Sequence, residues 1–196
     1  MLDKLWSFLL CVYGLVHQAL VPCPAPDLLP ANSLNTQQYL GKWYFIAAVG
    51  FRDADIHMFR GMDSSVFSVE ETSVKDTLQM TADMRVGDLC LKQTWTYYVR
   101  PERDDLEVEG RPTRRTLIWS GKWVGCPQCI ILQEIEPPRS ETEAVDSLSR
   151  HLLYARQSDV DPTVVAAFQE NSACNNLTAF VKLPQTKGLS LRYLTL

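Results

Sequence analysis

Between residues 43 and 156 the chain breaks into eight short segments of strand character. They fall at 43–49, 65–70, 77–85, 89–100, 106–109, 115–120, 129–135 and 149–156. Turn formers separate several of them: Val86-Gly87-Asp88, the polar run 101–105, Gly121 and Gly125. Such a succession leaves little room for helix and predicts an antiparallel, all-β core. The fourth segment shows the period most cleanly. Leu91, Gln93, Trp95, Tyr97 and Val99 share one face, and Lys92, Thr94, Thr96, Tyr98 and Arg100 share the other. A single helical signal comes late: Asp161 offers an N-cap, Pro162 a first-turn proline, and Val164, Val165 and Phe168 fall at helical spacing. That helix is expected to stop around residues 171–174 and to lead into a last strand at 179–183. The predicted fold class is an all-β, eight-stranded antiparallel up-and-down barrel with one C-terminal α-helix and a final short strand. A two-sheet sandwich is the alternative, since strand number does not separate the two.

With 196 residues the chain suits one domain, and 46% hydrophobic against 21% charged residues is the balance of a globular protein. Nineteen Lys and Arg are scattered among 23 Asp and Glu, for a net charge of −4, so no nucleic-acid partner is expected. A mean hydropathy of −0.11 excludes a polytopic membrane protein. The membrane-relevant stretch is the first one. Lys4 precedes a mainly apolar run, residues 5–16, too short to span a bilayer but of the length of a secretory leader. Residues 1–21 therefore read as a signal peptide. Its ending is unusual, because Ala19 has His17 two positions before it and Ala25 is followed by Pro26, so no Ala-x-Ala site forms. That favours inefficient cleavage, or retention as a lipid anchor, with residues 22–196 as the folded domain.

The segment 22–30 carries four prolines and is expected to be an extended strap rather than helix or sheet. The charged stretch 136–146 reads as a hairpin loop. Of six cysteines, Cys11 lies in the leader, leaving five in the domain, so at least one thiol stays free or pairs between chains. Asn176-Leu177-Thr178 is a glycosylation sequon compatible with export.

Catalytic motifs are scarce. Cys126-Pro127-Gln128-Cys129 has redox spacing, but it enters a strand, whereas thioredoxin-like chemistry needs it at the start of a helix. It lacks a second cysteine pair or spaced histidines to complete a zinc site. No Gly-x-Ser-x-Gly, P-loop or dinucleotide fingerprint is present, so neither an enzyme nor a metal or cofactor is expected, with a thiol–disulfide enzyme at Cys126 and Cys129 as a remote alternative.

Gly41-Lys42-Trp43, after a short helical turn and opening the first strand, resembles the first signature of the lipocalin family. In that reading Gly41 lets the chain turn under the barrel floor, Trp43 plugs the closed end, and Arg156, leaving the last barrel strand, stacks on the indole. The likeness extends through residues 41–47, Gly87 to Cys90, Glu109-Gly110-Arg111-Pro112, Cys126-Pro127 and Leu152-Leu153-Tyr154. There the chain is similar to the sphingolipid-carrying lipocalins of high-density lipoprotein, which keep their signal peptide as a lipoprotein anchor. The resemblance implies a carrier of sphingosine-1-phosphate or a similar amphipathic lipid, associated with a lipoprotein surface. A carrier of retinoid or fatty acid, with no selectivity for phosphate, is the alternative.

The resemblance also implies the site. Trp95 and Tyr97 correspond to aromatic head-group residues, Arg111 to a phosphate-binding arginine, Glu134 to the carboxylate facing the ligand's amino group, and Arg150 and Tyr154 to further ligand residues. It implies a Cys23–Cys174 disulfide. The chain departs from the family in placing Gln93 where a second phosphate arginine is expected. Alternation turns Arg111 toward the solvated side with Glu107 and Glu109, unless Gly110 marks a bulge that re-aims it. The pairing of Cys90, Cys126 and Cys129 stays open between a local Cys126–Cys129 bond and a bond from Cys90 to one of them.

Overall fold

The computed structural model describes residues 4, 6–13, 23–138 and 147–184. The expected loop at 136–146 lies outside the described residues from 139 onward. Residues 6–13 are helical (α1), and Trp6, Phe8, Leu9 and Leu10 on this helix are exposed. Among the described residues no helix is long and apolar enough to cross a membrane.

Nine strands follow among the described residues: β1 Gly41–Gly50, β2 Ser64–Glu71, β3 Thr77–Val86, β4 Leu89–Val99, β5 Leu106–Val108, β6 Arg111–Ser120, β7 Cys129–Glu136, β8 Leu148–Ala155 and β9 Ala179–Lys182. Each of β2 to β7 pairs with the next, and β1 pairs with both β8 and β2. That double pairing closes eight strands into an antiparallel barrel, so the barrel expectation holds and the sandwich does not. β1 manages it by splitting its length: residues 41–44 meet β2, residues 44–50 meet β8, and a register shift lies between Phe45 and Ala47. β9 adds outside β1 at residues 47–50.

Burial follows from what covers each strand. β2 alternates along its length, with Ser65, Phe67 and Val69 pointing in, because its outer face meets water. β1, β7 and β8 are buried on both faces along most of their length. Their outer faces lie under helix α3, Pro162–Ala173, which seats Val164, Val165 and Phe168 against Ile46, Val49, Ile131 and Leu153. Cover on both faces explains the continuous apolar runs at 129–132 and 152–155. The helix starts as expected: the Asp161 carboxylate accepts from Thr163 N at 2.8 Å, and Pro162 opens the first turn. Between β1 and β2, a short helix α2, Asp53–Ile56, and a 3-10 turn, His57–Phe59, cross the end of the barrel.

The strap from Cys23 is extended and bonds to the last residues of β6, with Leu29 N donating to Ile118 O and Ser120 N donating to Asp27 O, both at 2.8 Å. It is fixed by a Cys23–Cys174 disulfide to the C-cap of α3. Cys126 bonds locally to Cys129, which resolves the open pairing, and Cys90 is free and exposed.

One end of the barrel is sealed. Trp43 is buried, its indole N–H donates to Tyr39 O at 2.8 Å, and the Arg156 guanidinium lies 3.7 Å over its ring. Arg156 also donates to the carbonyls of Leu40, Lys42 and Gln38 at 2.7–2.9 Å. Gly41 makes the approach with φ +85°, where a side chain would strain the backbone. The motif at 41–43 and its basic partner thus form the floor.

Candidate functional site

Above the floor the inward faces of the strands enclose two neighbouring spaces that share a wall at Met80 and Tyr97. The lower one is lined by Leu34, Val69, Leu78, Leu106, Ile118 and Leu132, with Met80 and Tyr97 at its top. The upper one has a volume of about 300 Å³, shares Met80 and Tyr97, and opens toward α2. Its walls change character with height. Phe45, Phe67, Trp95, Leu152 and Tyr154 are aromatic or aliphatic, and Arg111, Arg114, Glu134 and Arg150 are charged.

The order of layers is written in the strand register. In the β7–β8 ladder the inward pairs run Ile130↔Tyr154, Leu132↔Leu152, then Glu134↔Arg150. The first two are apolar and near the floor, and the third is an ion pair. Arg150 Nη2 stands 2.5 Å from Glu134 Oε2, and Nε donates to the same oxygen at 2.7 Å. Both residues are more than nine-tenths buried. Arg150 is held from above as well: Nη1 donates to Asp55 O of α2 at 3.0 Å, and the guanidinium lies 5.0 Å from the Phe59 ring centroid. One arginine therefore links the cavity wall to the crossing segment at the mouth.

The aromatic residues form one packed group. Phe67 stacks with Trp95 at 6.1 Å and meets Tyr154 edge-on at 4.9 Å, and Phe45 touches both Phe67 and Tyr154. Burial, reinforced by the negative charge of Glu134, pushes the phenols of Tyr97 and Tyr154 up, so both stay protonated across the physiological range. They face the cavity as neutral hydrogen-bonding groups.

Trp95, Tyr97, Arg111, Glu134, Arg150 and Tyr154 all line this single cavity. Arg111 is turned inward by an irregularity, but not one at Gly110, which takes φ +71° in the turn between β5 and β6. The register shifts farther along β6: Arg115 pairs with Glu107 and Arg111 with Val108, itself a cavity residue. Arg111 is nevertheless at the lip and half exposed. Gln93 lines the cavity as alternation predicts, while Lys92 on the other face stands 4.0 Å from Asp83. Asn176 is exposed, in a left-handed turn after α3.

Two charged residues escaped the sequence reading. β6 starts at Arg111 rather than at 115, which puts Arg114 on the inward face with Thr116 and Ile118. β7 runs one residue past 135 and adds Glu136 to the inward set of Leu132 and Glu134. Arg114 is largely buried and donates to Glu136 Oε2 from Nε at 3.0 Å and from Nη2 at 2.7 Å. Its Nη1 is 3.9 Å from Glu134 Oε2. Arg111 Nη1 reaches the same Glu136 oxygen at 3.4 Å, and Thr113 Oγ1 donates to Oε1 at 3.4 Å. Burial opposes ionisation of Glu136, but the hydrogen bond from Arg114 and the charges of Arg114 and Arg111 outweigh it and hold the carboxyl below its ordinary range. The signal was present as same-face spacing at 114, 116 and 118, once the strand is extended to include residue 114.

Comparison with known proteins agrees with this architecture. The ApoM domain family model matches residues 1–190. Apolipoprotein M of Mus musculus and that of Rattus norvegicus are each 28% identical over 194 residues, covering 95% of this chain and 96% of the relative. Among solved structures, the siderocalin Ex-FABP superposes with a TM-score of 0.57 at 16% identity, over 78% of this chain and 97% of that one. Siderocalin Q83 gives 0.57 at 15% identity, over 79% and 94%. At such identities the two siderocalins speak for the barrel fold alone.

Proposed function

The chain belongs to the ApoM family, and from that premise we propose that it is a secreted, lipoprotein-associated carrier that encloses one long-chain lipid with a phosphate head, sphingosine-1-phosphate or a close chemical relative. The observation that carries this reading is the buried Glu134–Arg150 pair, set in the wall of a cavity that adjoins an apolar space nearer the floor. A tail entering the lower space gains about 0.8 kcal/mol per buried CH₂, which favours any long chain. Discrimination must come from the head. A head group bearing both an ammonium and a phosphate matches a wall that offers both charges: Glu134 receives the ammonium, and Arg150 and Arg111 receive the phosphate. Trp95, Tyr97 and Tyr154 supply an aromatic sleeve at the level where tail becomes head.

Nothing in this role requires a reaction. The Cys126-x-x-Cys129 pair is bonded to itself and buried at the start of β7, away from the cavity lining. The exposed apolar side chains of α1 suit insertion into the surface of a lipoprotein particle. Asn176 is the proposed glycan site.

Tryptophan-fluorescence titration of the purified protein with sphingosine-1-phosphate, sphingosine and retinol tests the reading. Saturable one-to-one quenching, tightest for sphingosine-1-phosphate, is expected. Equal affinity for all three leaves a carrier with no head-group selectivity. Absence of saturable quenching by any of them removes the carrier function.

A further inference from the structure

Glu136 occupies an informative position. Two guanidinium groups, Arg114 and Arg111, converge on its Oε2, and the Thr113 hydroxyl donates to its other oxygen. Three donors aimed at one carboxylate from β6 describe an anion-binding geometry, at the lip of the cavity that would take the lipid. Arg114 is the better placed of the two arginines, since it lies inside the lip with most of its surface covered and within 4 Å of Glu134. Gln93, which also lines this cavity, carries no charge.

The geometry points to an anion subsite at Arg114 and Arg111 that Glu136 fills as a resident stand-in, and that a lipid phosphate enters by displacing the Glu136 carboxylate. This rests on the carrier reading above and makes it more specific: Arg114 supplies the second cation for the phosphate, and Glu136 sets how tightly the phosphate is held. The exchange replaces one set of charge-assisted hydrogen bonds with another. Selectivity therefore depends on the phosphate's greater charge and its third oxygen rather than on a vacant cation. Glu136 is the last residue of β7 paired with β8, opposite Leu148, and its side chain is partly exposed, so the carboxylate can swing outward at the strand end.

The test compares sphingosine-1-phosphate with sphingosine, two probes that differ only in phosphate, on the full chain and on the variants Arg114→Gln, Arg114→Lys and Glu136→Gln. The quantity read is the ratio of the two dissociation constants. Arg114→Gln is expected to cut the preference for the phosphate-bearing lipid about tenfold, the loss of one charged hydrogen-bonding partner. Arg114→Lys restores part of it, because the charge returns without the planar fork. Glu136→Gln is expected to raise the preference severalfold by removing the competitor. A purely structural ion pair gives a different pattern: both neutral variants lower the urea midpoint and leave the ratio unmoved, which overturns the subsite. If the wild-type chain takes up both lipids and the variants leave the ratio unmoved, the subsite alone fails. If it takes up neither, the carrier reading fails and the subsite falls with it.

Discussion

Glu134→Leu is the most exacting perturbation of the cavity wall. The carboxylate faces Arg150 at 2.5–2.7 Å, and both side chains are about nine-tenths shielded from water. Removing the carboxylate strands a guanidinium among Phe59, Met58 and the backbone of α2, with one neutral carbonyl, Asp55 O, as its best remaining acceptor. Stranding a buried charge in this way costs about 3–5 kcal/mol. With a urea dependence of about 1–3 kcal/mol per molar, the unfolding midpoint falls by on the order of 2 M. Arg150→Met is expected to cost less, because Glu134 keeps Arg114 at 3.9 Å as a second cation. The double variant Glu134→Leu/Arg150→Met replaces the pair by apolar groups of similar size and should return to within about 1 kcal/mol of the wild type. Urea unfolding followed by tryptophan fluorescence gives all three values, and the cycle gives the coupling. Additive losses, with the double variant as unstable as the sum of the singles, would refute the claim that the two charges exist for each other.

Other consequences are simpler to read. Arg156→Ala removes a cation stacked on Trp43 together with three hydrogen bonds to carbonyls, for a loss of about 2–3 kcal/mol and a melting temperature lower by roughly 5–10 °C. Thr116→Val should stabilise the ligand-free protein by about 1 kcal/mol, measured by the same melts, because the Thr116 hydroxyl is fully buried with no hydrogen-bond partner among the described residues and valine keeps its shape. His151, buried under α3 with Nδ1 3.1 Å from Ser172 Oγ, has its pKa lowered to about 4 by burial. The unfolded chain therefore binds the extra proton first: stability from this group is full above about pH 6.5 and is lost as pH falls toward 4, at up to about 1.4 kcal/mol per pH unit. Between pH 6 and 4 the wild type should accordingly lose stability more steeply than His151→Asn in urea titrations; parallel slopes would contradict the assignment.

The parts of this molecule that local chemistry determines were legible in the chain itself. Alternation along 91–99 places Gln93, Trp95 and Tyr97 on the cavity face, and the cap at Asp161-Pro162 sets the start of α3. The sealing role of residues 41–43 and Arg156 came through resemblance and is physically sensible, since an indole and a guanidinium stack wherever the backbone brings them together. The upper charged layer was read incompletely for a structural reason. Strand ends carry no period of their own, so beginning β6 at 115 and ending β7 at 135 left Arg114 and Glu136 outside the sheet. Arg111 shows the converse problem. Its face is decided by a register shift in β6 between Arg111 and Arg115, and strict alternation gives the wrong side. The contribution of α2, whose Asp55 carbonyl holds Arg150, depends on a contact between residues 95 positions apart, which no local pattern encodes.

In the proposed complex the lipid tail descends past Tyr97 and Met80 into the apolar lower space while the head stays with the arginines. A crystal of the protein with sphingosine-1-phosphate brominated at the chain terminus would locate the tail by anomalous scattering. One bromine peak is expected below Tyr97, among Leu78, Leu106, Ile118 and Leu132. A peak on the outer surface of the barrel, or at the mouth beside Arg111, would contradict it.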